Sequence, residues 1–169
     1  RDIDRSSGLG DVYKRQILSQ YLIAKGFYVK VIDRQIYGNF IKKSQNIQII
    51  NKDVRKISHN DFAGYDYVIH LANIANDPSV ELHPSLSWDI NVLATDKICR
   101  AAIKANVKKI IFASSGSVYG IKKERNVTED LELKPISIYN KTKMIAERIL
   151  LSYKKEIDVV CIRPATVCG

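Results

Sequence analysis

The chain has 169 residues, 46% of them apolar, and a net charge of +9. This length and apolar content fit one domain with a sizeable core, and no apolar run approaches the roughly 18 residues of a membrane span. The basic residues are scattered rather than blocked, which argues against nucleic-acid binding. The start is polar and lacks the apolar stretch of a signal peptide. Cys99, Cys161 and Cys168 show no metal or disulfide spacing, which favours a reducing, cytoplasmic setting and no metal site.

Residues 1–16 (RDIDRSSGLGDVYKRQ) do not fit the pattern of the rest of the chain. They lack apolar periodicity, and no strand precedes Gly8 and Gly10. Tyr13 stands where a dinucleotide fingerprint would have its third glycine, so this GxG is not a phosphate loop. The sequence DVYKRQ is similar to a translated sequencing adapter. We therefore interpret 1–16 as a non-native, disordered tail and exclude it from fold prediction.

From Ile17 onward, predicted strands alternate with predicted helices. An apolar helical face begins at Ile17, and Gly26 is placed as its C-terminal cap. The predicted strands are 28–32, 46–50, 65–71, 109–113 and 157–163, and further helices are predicted at 85–105 and 139–153. The stretch 120–135 reads as irregular. This alternation predicts an α/β fold with a parallel sheet covered by helices on both faces.

Asp33 follows the predicted strand 28–32. An acidic residue at the end of the second strand of a dinucleotide fold accepts hydrogen bonds from the adenosine ribose. It also repels a 2′-phosphate and so favours NAD over NADP. The alternative is an ordinary aspartate in a turn at the end of a strand.

Tyr139 and Lys143 lie four residues apart on a predicted helix and therefore share one face. The residues after them carry a predicted apolar stripe: Met144, Ile145, Ala146, Ile149 and Leu150. A neighbouring lysine lowers the pKa of a phenol from its usual value near 10. Such a phenol can exchange a proton with a substrate hydroxyl near neutral pH. The alternative is an exposed pair on a lysine-rich helix. Ser115, at the end of the predicted strand 109–113, favours the catalytic interpretation.

Seven stretches in order resemble one family of enzymes. They are AKGFYVKVIDR, DVR, YDYVIHLAN, INVLAT, VKKIIFASSGSVYG, YNKTK with AER after it, and IRPATVCG. Residues 17–169 are similar to the extended short-chain dehydrogenase/reductases of the NAD-dependent epimerase/dehydratase type, which act mostly on nucleotide sugars. The resemblance implies a Rossmann-like, doubly wound parallel sheet with NAD as cofactor.

The resemblance also implies roles for residues along the cofactor. Asp33 would bind the adenosine ribose, and Asp53 and Val54 would line the adenine pocket. Leu71 and Ala72 would lie along the cofactor.

For the chemistry, the resemblance implies Ser115, Tyr139 and Lys143 as catalytic residues. Ser115 would hydrogen-bond the reacting hydroxyl, and Tyr139 would be the acid/base. Lys143 would bind the nicotinamide ribose and lower the pKa of Tyr139. Pro164 would approach the nicotinamide. Asn91 matches a supporting family asparagine, with capping inside the core as the alternative.

The chain departs from the family pattern in several places. The first strand and the glycine-rich loop expected before Ile17 are missing, as is the substrate-binding part expected after Gly169. We therefore expect a partial NAD-binding domain over 17–169 that is inactive by itself and binds NAD poorly. Gly116 and Ser117 stand where dehydrating members carry an acidic pair, which argues against dehydration. Cys168 stands where the family usually has tyrosine.

The predicted function is that of a nucleotide-sugar epimerase-type oxidoreductase, which transiently oxidises a sugar hydroxyl. Alternatives within the family are a dehydratase, a decarboxylase or a reductase. From a different class, the fold could serve as a non-catalytic NAD-sensing module. The predicted helices 85–105 and 139–153 are where dimers of this family usually pack.

Overall fold

The computed structural model describes residues 5–36, 38, 41–75 and 77–165, with the side chains of 15–36, 38, 41–75 and 80–165. The chain forms two compact units, unit 1 (Arg1–Lys56) and unit 2 (Ile57–Gly169). The sequence predicts a single domain from residue 17. Cys168 lies outside the described residues. Within the described part, no helix is both long and apolar enough to cross a membrane.

Unit 1 begins with a helix, α1 (Arg5–Ala24). The helix ends in a turn where the amide of Gly26 donates to the carbonyl of Ile23 at 2.9 Å and that of Phe27 to Leu22 at 3.1 Å. This arrangement confirms the predicted cap. Residues 5–16, predicted to be a disordered tail, are instead the first part of this helix.

Two parallel strands follow in unit 1, β1 (Val29–Asp33) and β2 (Ile47–Asn51). Val29 lies opposite Ile47, and the register continues to Asp33 opposite Asn51. Val31 is buried. Both strands confirm the predicted ones to within one residue, and their carboxyl ends carry polar side chains.

Unit 2 contains three parallel strands in the order β3–β4–β5: β3 (Tyr67–His70), β4 (Lys109–Ala113) and β5 (Asp158–Ile162). Ile110 and Phe112 of the central strand are buried. The parallel α/β prediction is confirmed. The described strands thus form two ladders, β1–β2 in unit 1 and β3–β4–β5 in unit 2.

The helical stretch after β3 has several parts. It comprises α2 (Asp77–Leu82), α3 (Pro84–Trp88), a π-helical turn (Asp89–Leu93) and α4 (Ala94–Lys104). The helix predicted over 85–105 is confirmed in extent but contains the π turn. π turns are rare and occur frequently at functional sites.

Helix α5 (Ile138–Ser152) begins at Ser137, whose hydroxyl accepts a hydrogen bond from the amide of Asn140 at 3.2 Å. The predicted apolar stripe included Met144, Ile145 and Ile149, which are only half-buried. The fully buried positions are Thr142, Lys143, Ala146, Glu147 and Leu150. The inner face of α5 is therefore partly polar and needs polar partners inside unit 2.

Candidate active site

Lys143 and Tyr139 lie together on α5. Only 4% of Lys143 is exposed, and its Nζ donates a hydrogen bond of 2.7 Å to the carbonyl oxygen of Ala113, the last residue of β4. The same Nζ lies 6.0 Å from the centre of the Tyr139 ring and 4.8 Å from that of Phe112. The lysine is thus fixed between the end of β4 and the tyrosine. The exposed-pair interpretation is wrong for Lys143.

Ser115 lies two residues beyond Ala113 and caps a short 3₁₀ turn (Gly116–Tyr119). Its hydroxyl oxygen accepts from the amide of Ser117 at 3.2 Å and lies 2.7 Å from the Ser117 hydroxyl. Ser117 in turn donates to Oδ1 of Asn140 at 2.5 Å. The start of α5 is therefore connected to the end of β4 through side-chain hydroxyls. Sequence reasoning did not single out Asn140.

Ser114 is buried, and its amide donates to the carbonyl of Ile162 in β5 at 2.8 Å. Its hydroxyl has no hydrogen-bond partner among the described residues. Two residues further on, the amide of Gly116 donates to the carbonyl of Pro164 at 2.8 Å. A Cβ at position 116 would lie 3.0 Å from that carbonyl oxygen. The ends of β4 and β5 are thus held tightly together.

Leu71 and Ala72 follow the end of β3 directly and are half-buried, while Pro164 follows β5 and is exposed. In parallel sheets, ligands bind outside the carboxyl ends of the strands. In unit 2, the predicted site residues therefore lie at the carboxyl ends of the strands.

Asn91 of the π turn links two parts of the site. Its Oδ1 accepts from the amide of Ile74 at 2.8 Å, and its Nδ2 donates to the carbonyl of Ile74 at 3.1 Å and to Oγ1 of Thr142 at 3.2 Å. Thr142 donates to the carbonyl of Tyr139 at 2.7 Å. The side chain thus supports the loop after β3 and the first turn of α5, in agreement with its expected supporting role.

His70 extends this network from β3. Its Nε2 lies 2.9 Å from Oγ1 of Thr95, which donates to the carbonyl of Asn91 at 2.8 Å. Because the single Thr95 proton is used there, Nε2 of His70 must be the donor. Burial, together with the charge of Lys143, lowers the pKa of His70 from 6.5 to about 3. The network therefore contains a neutral imidazole.

A second buried cluster joins α5 to the residue after β5. Nε and an NH2 group of Arg163 donate to the carboxylate of Glu147 at 2.7 to 3.1 Å, and NH1 donates to the hydroxyl of Tyr119 at 2.8 Å. The side chain of Glu147 is 1% exposed. The carboxylate raises the pKa of Arg163 above its already high value. Sequence reasoning missed this cluster, although Glu147 lies four residues after Lys143 and so shares its face.

Gly120 ends the 3₁₀ turn with φ of +68°, a backbone conformation that L side chains rarely adopt. A Cβ at this position would collide with the carbonyl oxygen of Lys134. Within the intervening segment, Nζ of Lys122 donates to the carbonyl of Glu132 at 2.6 Å. The two ends of the segment between Gly120 and Lys134 therefore approach closely.

In unit 1, Asp33 occupies the predicted position at the end of β1. One carboxylate oxygen accepts from the amide of Gln35 at 2.5 Å, and the other forms an ion pair with Arg15 of α1. The position expected to bind a ribose is therefore held by an arginine from the segment that was interpreted as non-native.

Asp53, just before Val54, is bound by Arg55 through its amide at 2.9 Å and through Nε and NH2 at 3.0 and 2.7 Å. Arg34 lies 3.4 Å from the same carboxylate. These contacts lower the pKa of Asp53 from its ordinary 3.8 to about 2, and the hydrogen bonds from the Arg55 side chain contribute most. Val54 begins a short 3₁₀ turn and is half-buried.

These residues can be compared with the needs of an NAD cofactor. In unit 2 they fit a ribose, because a buried lysine ammonium lies beside a tyrosine at the strand ends. In unit 1 the Asp33 carboxylate is the right acceptor for ribose hydroxyls, and its ion pair with Arg15 uses part of its accepting capacity. Among the described residues, no group of histidine, cysteine, aspartate and glutamate side chains could hold a metal ion.

Ser115, Tyr139 and the buried Lys143 thus lie at the carboxyl ends of parallel strands in an α/β fold. The chain belongs to the NAD dependent epimerase/dehydratase family, whose model matches residues 16–169.

Several relatives of known name are similar to this chain. A putative UDP-glucose 4-epimerase of Methanocaldococcus jannaschii is 30% identical over 154 residues, which cover 88% of this chain and 50% of that protein. A UDP-glucose 4-epimerase of Lactobacillus helveticus is 39% identical over 85 residues, covering 50% of this chain and 26% of that protein.

Among solved structures, the UDP-glucuronic acid 4-epimerase from Bacillus cereus in complex with NAD superimposes with a TM-score of 0.78 and 28% identity. The match covers 91% of this chain and 54% of that one. The chain thus spans about half the length, or less, of the relatives it matches.

Proposed function

We propose that residues 17–169 carry the acid/base half of a nucleotide-sugar epimerase-type oxidoreductase that uses NAD. The observation that carries the proposal is the buried Lys143, whose ammonium lies beside Tyr139. It is fixed there by the carbonyl of Ala113, which stands two residues before Ser115 in the chain. A lysine is rarely this buried unless it has a specific role. Membership of the family supports the same reaction class.

Each catalytic side chain has one role in this proposal. Tyr139 takes the proton of a sugar hydroxyl and later returns one. Lys143 binds the nicotinamide ribose and stabilises negative charge on the phenol oxygen. Ser115 hydrogen-bonds the reacting hydroxyl. When bound, NAD supplies the hydride acceptor, and the hydride then returns to the other face of the sugar.

Further cofactor contacts are proposed for residues at strand ends in each unit, considered by itself. In unit 1, Asp33 would accept the adenosine ribose hydroxyls and exclude a 2′-phosphate, while Asp53 and Val54 would border the adenine. In unit 2, Leu71, Ala72 and Pro164 would line the cofactor.

Epimerisation is favoured over dehydration by the packing at Gly116. The carbonyl of Pro164 would lie 3.0 Å from a Cβ there, so an acidic side chain cannot be added without displacing backbone. Ser117, the next position, carries a hydroxyl that already donates to Asn140. The acidic pair of dehydrating relatives therefore has no counterpart.

UDP-hexoses are the first substrates to test, because the similar proteins are named for UDP-glucose and UDP-glucuronic acid. The complete set of Ser115, Tyr139 and Lys143 favours an enzyme over an NAD-sensing module. Since the 169 residues contain no GxGxxG sequence, we expect this chain alone to bind NAD more weakly than micromolar. Calorimetry on residues 17–169 tests that expectation.

The deciding experiment uses the product of the complete reading frame that contains these residues. Tyr139→Phe should abolish interconversion of UDP-hexoses, by at least about 100-fold, because the proton acceptor is lost. NAD binding, followed by calorimetry, should be retained.

Tyr153→Phe, at the other end of α5, is the matched control. It also removes a phenol hydroxyl, but one that lies far from Tyr139, so turnover should stay within about twofold. Retained turnover in Tyr139→Phe would refute the assignment. Loss of NAD binding along with turnover would point instead to a structural role for the tyrosine.

A further inference from the structure

We infer that Asn140, acting through Ser117, fixes the direction of the hydroxyl hydrogen bonds at Ser115, so that Ser115 faces a ligand as a hydrogen-bond acceptor. Asn140 and Ser117 are then positioning residues for the reacting hydroxyl. The part of this inference that concerns substrate rests on the proposed function.

The geometry is a chain of three side chains. Oγ of Ser117 lies 2.5 Å from Oδ1 of Asn140 and 2.7 Å from Oγ of Ser115. The Ser117 amide donates to Oγ of Ser115 at 3.2 Å.

The inventory of protons sets the direction of this chain. An amide oxygen can only accept, so Ser117 must donate its single hydroxyl proton to Asn140. Ser115 must then donate its own proton to Ser117. A hydroxyl has one proton and two lone pairs, and the Ser117 amide already uses one lone pair of Ser115. Ser115 therefore has one lone pair left for a ligand.

Both ends of this chain are held in place by backbone contacts. The amide of Asn140 is fixed by the hydroxyl of Ser137 at 3.2 Å, at the start of the helix that carries Tyr139. At the other end, Gly116 donates to the carbonyl of Pro164 at 2.8 Å. The backbone is thus held in place at both ends of this chain of side chains.

This direction selects between two forms of a sugar. A sugar alcohol can donate its hydroxyl proton to the remaining lone pair of Ser115 before it turns that proton to Tyr139 for transfer, whereas a keto group has no proton to donate. Ser115 can donate to a keto oxygen only after releasing Ser117. The arrangement therefore favours binding of the hydroxyl form of the substrate over its oxidised form.

Nuclear magnetic resonance on the labelled 169-residue chain tests the direction without cofactor or turnover. In Ser117→Ala, the side-chain carbonyl carbon of Asn140 should shift upfield, because its oxygen loses a donor. A shift confined to the Asn140 side-chain NH₂ group would show that Asn140 donates, and would overturn the inference.

Substitutions at position 140 test the coupling. In Asn140→Leu, exchange of the Ser117 amide proton should accelerate about five- to tenfold, the worth of roughly one hydrogen bond. Asn140→Asp keeps an acceptor and should restore protection to within about twofold. Lys141→Leu, on the same turn, is the control. Equal exchange in wild type and Asn140→Leu would refute the coupling, and Ser117→Ala still decides the direction if a position 140 variant does not fold.

In the complete gene product, Asn140→Leu should raise KM for the sugar alcohol several-fold with a smaller change in kcat. An equal fall in kcat with KM unchanged would contradict the selection of the hydroxyl form. A product with no turnover of any nucleotide sugar would refute the proposed function, while the resonance measurements would still decide the hydrogen-bond direction.

Discussion

The strand ends of the two units hold their polar groups in different ways. In unit 1, Asp33 and Asp53 are ion-paired with arginines of the same unit. In unit 2, Lys143 and Ser115 are held by neutral groups, a backbone carbonyl and a serine. Both sets follow parallel strands, and the resemblance assigns both to cofactor or substrate.

A position at the end of a strand does not by itself make a polar group available to a ligand. A carboxylate that is already paired with arginine has fewer lone pairs left for ribose hydroxyls, which offsets part of the gain in binding. The Lys143 ammonium donates to a backbone carbonyl instead. The Arg15 contact comes from outside the matched residues 16–169, so Asp33 should accept a ligand more readily in Arg15→Gln.

The largest expected effect tests whether unit 2 also depends on an ionic contact. Arg163→Leu leaves the buried Glu147 carboxylate unpaired and should lower the free energy of unfolding by about 3–5 kcal/mol. Urea unfolding, with amide exchange in β3–β5 as a local probe, measures the loss.

Arg100→Leu is the matched control for that change. The side chain of Arg100 is 69% exposed in its pair with Asp96, so the loss should be much smaller than that of Arg163→Leu. Equal effects of the two substitutions would show that burial does not distinguish the pairs.

The next effect separates the units by pH. His70 titrates near 6.5 when unfolded and at about 3 when folded. Its contribution to stability is present above pH 6.5 and is lost as the pH falls toward 3, by about 1.4 kcal/mol per pH unit. Unit 2 should therefore lose about 2–3 kcal/mol by pH 4.5, measured by amide exchange.

His70→Gln, which keeps a donor at a similar position, should flatten this slope in β3–β5. In unit 1, the low pKa of Asp53, about 2, implies stability that is lost only below pH 3.8. An acid loss that begins near pH 6.5 in β1–β2 and persists in His70→Gln would contradict the comparison.

A smaller effect is expected from the neutral network under Tyr139. Thr142→Val keeps the shape of the side chain but removes the hydroxyl that links Asn91 to the Tyr139 carbonyl. The loss should be about 1–2 kcal/mol, because one N–H of the buried Asn91 side-chain amide is left without its acceptor. Thr128→Val, at an exposed position, should change stability by less than about 0.5 kcal/mol in the same denaturation experiment.

The smallest effect is expected in unit 1. Arg55→Gln should raise the pKa of Asp53 from about 2 toward its ordinary value, which narrows the pH range of its contribution. The stability loss at neutral pH should stay below about 1 kcal/mol, because 39% of the Arg55 side chain is exposed. Carboxyl resonances of Asp53 measure the titration, with Lys56→Gln as control. An unchanged Asp53 titration would show that Arg55 is not the main cause.

Much of the fold could be predicted from local pattern. The strand 109–113 was predicted with the bounds that β4 has, and α5 was predicted to within one residue at each end. Alternating elements fixed the parallel arrangement, because parallel strands need crossover connections. The family motifs placed Ser115, Tyr139 and Lys143 at the same edge of unit 2.

The remaining features depend on contacts between distant parts of the chain. The π turn accompanies a contact of Asn91 with Ile74, seventeen positions earlier. The Glu147–Arg163 pair needs α5 packed against the end of β5. Local periodicity favoured the apolar Met144 and Ile145 for the inner face, because it cannot show which polar residues find buried partners.

The close approach of Gly120 and Lys134 has a consequence for which insertions this protein can tolerate. Because the two ends meet, the segment between them forms a loop whose entropic closure cost grows only slowly with length, by roughly 0.6 kcal/mol per doubling. Insertions at exposed positions such as Arg125 can therefore lengthen the loop without moving β4 or α5. A tagged or fluorescent insertion there should leave Ser115 and Lys143 in place, so the loop is a natural place to vary or to label the protein.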